Sequence, residues 1–117
     1  MSDSILRDKS KAFAKRIVLL CRKLRDNRVE SVLIQQLLRC GTSIGANIHE
    51  ARYAQGTKDF ISKFEIALKE CNESEYWLEL LYETESISEA EFVSFRNNCI
   101  ELRRMLVSSV KTLKDDK

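Results

Sequence analysis

Proline is absent from these 117 residues, and glycine occurs only as Gly41, Gly45 and Gly56. The residues that mark tight turns and break helices are therefore almost missing, while helix formers dominate. A β-architecture, with its frequent turns, is disfavoured on that ground. The longest unbroken apolar run, Ile17 to Cys21, is far shorter than the roughly 20 residues that span a bilayer. The residues before Ile5 are polar or charged, with no apolar segment or small-residue cleavage site, so no secretory signal is expected. A cytoplasmic protein, without a membrane partner, is the expectation.

Catalytic signatures are equally scarce. No nucleophile elbow, phosphate loop or glycine-rich fingerprint is present. The single histidine, His49, lacks the glutamate three residues earlier that a di-iron bundle requires. Glu50 is its neighbour, but adjacent helical residues point about 100° apart and do not form an acid–base pair. The four cysteines, Cys21, Cys40, Cys71 and Cys99, form no CxxC pair. Helical rise puts Cys40, Cys71 and Cys99 about 15 to 21 Å from one end of a bundle and Cys21 only about 6 Å from it, so four zinc ligands would not meet. Reduced core thiols are expected. No enzyme activity, cofactor, metal or small-molecule substrate is anticipated.

What is present is helical periodicity. With 44% hydrophobic and 32% charged residues, the chain suits one domain over residues 1–117 with its own core. Helix one is expected over about 4–25, with Leu6, Phe13, Ile17, Leu20 and Leu24 on one face; Asp26-Asn27 then breaks the pattern. Helix two, about 29–54, carries Leu33, Leu37, Cys40, Ile44, Ile48 and Ala51. Gln55-Gly56-Thr57 then supplies a terminating glycine and an N-cap for the next helix. Helix three, about 58–84, follows a near-strict heptad through Phe60, Phe64, Ala67, Cys71, Ser74, Leu78 and Leu81. Helix four, about 89–114, has the best start signal: Ser88 and Glu91 form a capping box, and Ile87 and Phe92 occupy the positions of a hydrophobic staple. Its stripe is Phe92, Phe95, Cys99, Leu102, Leu106, Val110 and Leu113. Short loops make neighbours antiparallel, so the fold predicted is an all-α, up-down-up-down four-helix bundle. The end of the chain, Asp115 to Lys117, is expected to fray.

Several segments carry a family resemblance: KSKAFAKRIVLL in helix one, QLLRCGTSIGANIHEA in helix two and KDFISKFEIALKECNESEYWL in helix three. Together they resemble the bacterial 23S rRNA intervening sequence proteins over nearly the whole chain. The likeness is weakest at the loop between helices three and four and at the carboxy terminus. Ala51 departs from the pattern, since many relatives have glycine there. The resemblance implies a homo-oligomer, most often a pentamer of bundles, with no established catalysis. The accessory variability proteins of diversity-generating retroelements are distantly similar, and that likeness implies a partner such as RNA or a nucleic-acid-processing protein.

Three sets of residues stand apart from the core. On helix three Ile66, Trp77 and Leu80 share a second side, and on helix four Val93, Ile100 and Val107 recur every seven residues; both stripes read as oligomer interface. Charge is uneven: residues 1–28 carry nine basic and three acidic groups, whereas residues 58–87 carry three basic and eight acidic. Lys11, Lys15 and Arg22 lie within about 40° of one another away from the core, a basic stripe suited to phosphates. Arg96, Arg103 and Arg104 would extend it. The competing reading is a protein-binding scaffold, in which these cations pair with acidic helix three of a neighbouring subunit. Finally, a turn centred on Gly56 sets Glu50 near Lys63, and Ser43 and Asn47 at the levels flanking Glu70. Ser43 and Asn47 would fix helix register by bonding Glu70 or Glu73.

Overall fold

The apolar spacings fold into four helices: α1 (Ser2–Asp26), α2 (Ser31–Ala51), α3 (Thr57–Glu83) and α4 (Glu89–Asp115). The computed structural model describes residues 2–115, with side chains from residue 4 onward; Asp116 and Lys117, where fraying is expected, lie outside the described residues. No described helix is long and apolar enough to cross a membrane.

Adjacent helices run antiparallel, as the pairs between them record. Ser10, Ile17 and Cys21 of α1 meet Gly45, Gly41 and Ile34 of α2. Arg39 and Glu50 of α2 meet Glu73 and Lys63 of α3. Glu65 and Glu75 of α3 meet Lys114 and Arg103 of α4, and Lys9 and Lys23 of α1 meet Glu101 and Glu91 of α4. In every pair one number rises as the other falls. The bundle is 48 Å along its long axis, and α1 and α4 approach least closely of the four neighbouring pairs.

One core runs through all four helices, from Phe13 and Ile17 through Ile44 and Phe64 to Leu102 and Leu106. The heptad of α3 is buried from Phe64 to Leu81, Ser74 included; only Phe60 at its start is partly exposed. Ser74 Oγ donates to the Glu70 carbonyl at 2.8 Å and lies 3.3 Å from Cys40 Sγ, which satisfies a hydroxyl that burial would otherwise penalise. Against α1, α2 presents Gly41 and Gly45. A Cβ at Gly45 would lie 3.3 Å from the Ser10 carbonyl oxygen, so the small residues let the two backbones close up.

The helix ends follow local chemistry, with two departures from the expected boundaries. The α4 start is as anticipated: Glu91 N–H donates to Ser88 Oγ at 3.1 Å, Ser88 N–H donates to Glu91 Oε1 at 2.9 Å, and Ile87 and Phe92 are both buried. The beginning of α2 falls at Ser31 rather than 29, because Arg28 takes a left-handed conformation (φ 62°). Val29 N–H bonds the Leu24 carbonyl and Arg28 N–H bonds that of Arg25, each at 3.0 Å, which is a Schellman closure of α1. The same device closes α3, with Glu85 at φ 61° and bonds from Ser86 to Leu81 and from Glu85 to Tyr82. The second departure is at the α2–α3 turn. The last helical residue of α2 is Ala51, followed by single turns, and Gly56 is the extended N-cap of α3 (φ 170°) with no side-chain cap. Gly56 therefore does not terminate α2, and Thr57 is the first residue of α3 rather than its cap. Asp59 takes a share of the capping by accepting the Gln55 N–H at 3.2 Å.

Candidate nucleic-acid interface

The cations of α1 divide by face. Those turned toward α4 are engaged: Lys9 with Glu101 at 3.1 Å, and Lys23 with Glu91 at 2.8 Å. Arg16 bonds Asn98 and Ser94 with its guanidinium 4.0 Å from the Phe95 ring centre. Lys11, Lys15 and Arg22 are exposed on the opposite side. No hydrogen bond or ion pair to a described residue involves any of the three. They span about 16 Å along the helix at 1.5 Å per residue, with Asp8 and Asp26 at the two ends of the stripe.

The three arginines of α4 do not continue that stripe. Arg103 sits on the α3 flank, 2.7 Å from Glu75 and 3.2 Å from Asn72. Arg96 is half-buried, with its guanidinium 5.1 Å from the centre of the Phe92 ring; Phe92 in turn stacks on Tyr82 at 4.9 Å. Its Nε has no partner among the described residues. Of the three, Arg104 alone is exposed. It projects from the outer face of α4, and the flank carrying Ser94, Asn98 and Glu101 separates it from α1. Sequence periodicity placed Lys11, Lys15 and Arg22 away from the core but did not register which neighbouring helix each arginine of α4 would meet.

Much of the acidity of α3 is already matched within the chain. Glu65 pairs with Lys114 at 2.9 Å, Glu70 and Glu73 share Arg39, and Glu75 pairs with Arg103. Arg39 is the residue that periodicity alone overlooked. The antiparallel rule that sets Glu50 opposite Lys63, now 3.4 Å apart, also puts Arg39 opposite Glu73. Ser43 and Asn47 do not bond Glu70 or Glu73. Ser43 Oγ donates to the Arg39 carbonyl at 2.7 Å, and Asn47 Nδ2 donates to that of Ser43 at 2.9 Å. Short side chains reach a carbonyl one turn back, whereas the long, forked guanidinium spans the gap between helices.

The two apolar stripes face different ways. Trp77 is half-buried and donates its indole N–H to Glu73 at 3.0 Å. Glu73 in turn meets Arg39, so Trp77, with Ile66 and Leu80, lies on the α2 flank of α3. Ile66 is 38% exposed and Leu80 half-buried. On α4, Val93 and Ile100 are half-buried and Val107 is 46% exposed. Helical geometry turns them outward, about 60° beyond the Arg103 side that meets α3. Tyr76 and Val32, both largely exposed, enlarge the first patch: Tyr76 lies edge-on to Trp77 with ring centres 5.0 Å apart, and the α2–α3 register sets Val32 level with Leu80.

The thiols are buried and unpaired as disulfides. Burial pushes Cys21 and Cys40 up to about 11, which keeps them protonated at neutral pH and poor as ligands or nucleophiles. Cys71 Sγ donates to the Cys99 carbonyl at 3.3 Å, while Cys21 faces Ile34 in another layer. His49 is exposed, its ring centre 5.8 Å from that of Tyr53, while Glu50 turns to Lys63.

With this geometry in place, comparison with known proteins is informative. Residues 2–108 match the model of a family described as 23S rRNA-intervening sequence protein. Among solved structures, the chain is similar to a Bacteroides thetaiotaomicron protein of unknown function from the S23 ribosomal protein family. The two are 50% identical and superpose with a TM-score of 0.92, over 95% of this chain and 99% of the other. No curated protein matches the sequence.

Proposed function

This chain belongs to the 23S rRNA-intervening sequence protein family, and from that premise we propose that it is a non-enzymatic, self-assembling bundle that binds RNA through the outer face of α1. One observation carries the reading: Lys11, Lys15 and Arg22 stand exposed and without partners among the described residues, while four carboxylates of α3 already meet three cations of the same chain. The rival scaffold reading needs α3 of a neighbouring subunit to absorb these cations. Its acids from Glu65 to Glu75 are already engaged, which leaves Glu79 and Glu83 near its carboxy-terminal end. A phosphate backbone remains the fitting counter-charge, and the rRNA in the family's name agrees with it.

Assembly strengthens such a weak patch. Three cations per bundle give modest affinity, but several copies on one particle multiply it through avidity. A closed ring requires two different, complementary surfaces on each subunit, and the stripes on α3 and α4 point in different directions. That disposition supports head-to-tail rings such as a pentamer over a two-fold dimer.

Titration of structured RNA without a 5′-phosphate tests the proposal. Affinity should fall steeply with salt, and the triple variant Lys11→Glu, Lys15→Glu, Arg22→Glu should abolish binding without altering particle mass. Binding that ignores salt, or survives the triple variant, overturns it.

A further inference from the structure

At the end of the bundle where α2 ends, α3 begins and the carboxy-terminal half of α4 passes, the described residues surround a concavity distinct from the Lys11, Lys15 and Arg22 stripe. A groove of about 790 Å³ opens there, within the range of small-molecule sites. We propose that it binds a phosphomonoester carried on an apolar body, the chemistry of a mononucleotide, either free or as the 5′ end of an RNA strand. The sequence alone gave no reason to expect a small-molecule ligand.

The described lining is chemically one-sided. Among the described residues Arg52 and Arg104 are the charged side chains that line it, and hydroxyls including Thr57 and Ser108 stand around it. Both arginines are exposed, and neither forms an ion pair with a described residue. Two uncompensated guanidiniums on one concave surface match a phosphate dianion, which accepts forked hydrogen bonds from each. Phe60 and Met105, both half-buried against the core, supply an apolar wall for a base. Phosphate recognition at the rim and an apolar contact inside together favour a nucleotide over a simple anion.

Isothermal titration with adenosine 5′-monophosphate, adenosine and inorganic phosphate tests the assignment on the full chain. Saturable binding of the monophosphate is expected, with adenosine and inorganic phosphate each at least tenfold weaker. The double variant Arg52→Ala, Arg104→Ala should weaken monophosphate binding at least tenfold with an unchanged thermal melt, because both side chains are exposed. The α1 triple variant should bind it normally, which separates this site from the RNA-binding face. In the α1 triple variant, a short RNA bearing a 5′-phosphate assigns the source: tighter binding than the mononucleotide points to a strand end, and equal binding to the free nucleotide. No saturable binding at millimolar monophosphate, equal binding of adenosine, or an unaffected double variant overturns the proposal.

Discussion

Gly41 of α2 rests directly on Ile17 of α1: a Cβ at Gly41 would fall 2.9 Å from both Cγ1 and Cγ2 of Ile17. Ile17 is fully buried, and its β-branched side chain has little rotamer freedom with which to yield. Gly41→Ala gains roughly 1 kcal/mol of helix propensity, against an overpacking cost of about 1–3 kcal/mol. We expect a net loss of about 1 kcal/mol by urea denaturation. Gly56→Ser, which keeps a favoured residue at the N-cap of α3, is the control. Nothing lies within 4 Å of its Cβ position and its backbone is extended, so stability should change by less than about 0.5 kcal/mol.

The two left-handed residues should behave in the opposite sense. Arg28 and Glu85 occupy positions where Schellman closures favour glycine. A side chain there costs about 1–2 kcal/mol, of which glycine's greater unfolded-state freedom cancels roughly 0.5–1 kcal/mol. Arg28→Gly and Glu85→Gly should each raise stability by about 0.5–1 kcal/mol. A loss of stability in either variant would show that the side chain itself holds the turn.

Glu91 links stability to pH. Its carboxylate is held below the usual glutamate range by the hydrogen bond from Lys23 and by the backbone N–H of Ser88. A depressed folded-state value contributes stability that is fully present above the unfolded value, about 4.3, and is lost as pH falls through the folded one. Glu91→Gln keeps the capping geometry but cannot titrate. The variant should be less stable than wild type at pH 7, and the gap should narrow toward pH 3 in parallel urea titrations. A gap independent of pH would contradict the linkage.

The core was legible because its chemistry repeats along one helix. The α3 heptad from Phe64 to Leu81 and the Ser88, Glu91, Ile87 and Phe92 start signal each need only local spacing to be recognised. The closures at Arg28 and Glu85 were not legible, since no glycine marks them. The candidate interface was only partly readable for a different reason. Whether Lys15 or Arg103 is free depends on a partner from another helix, and periodicity says which way a side chain points without saying what stands opposite. Arg39 shows the remedy, because the antiparallel register finds Glu73 once the loop centre is fixed.

Assembly through two distinct apolar stripes is the central proposal, and light scattering coupled to size exclusion measures it most directly. The 13.6 kDa chain should elute as a particle of several subunits, a pentamer by family resemblance. The combined variant Trp77→Ala, Ile100→Glu should fall toward the single-chain mass with its helical circular dichroism retained. A wild-type protein that runs at 13.6 kDa across micromolar concentrations would contradict the account.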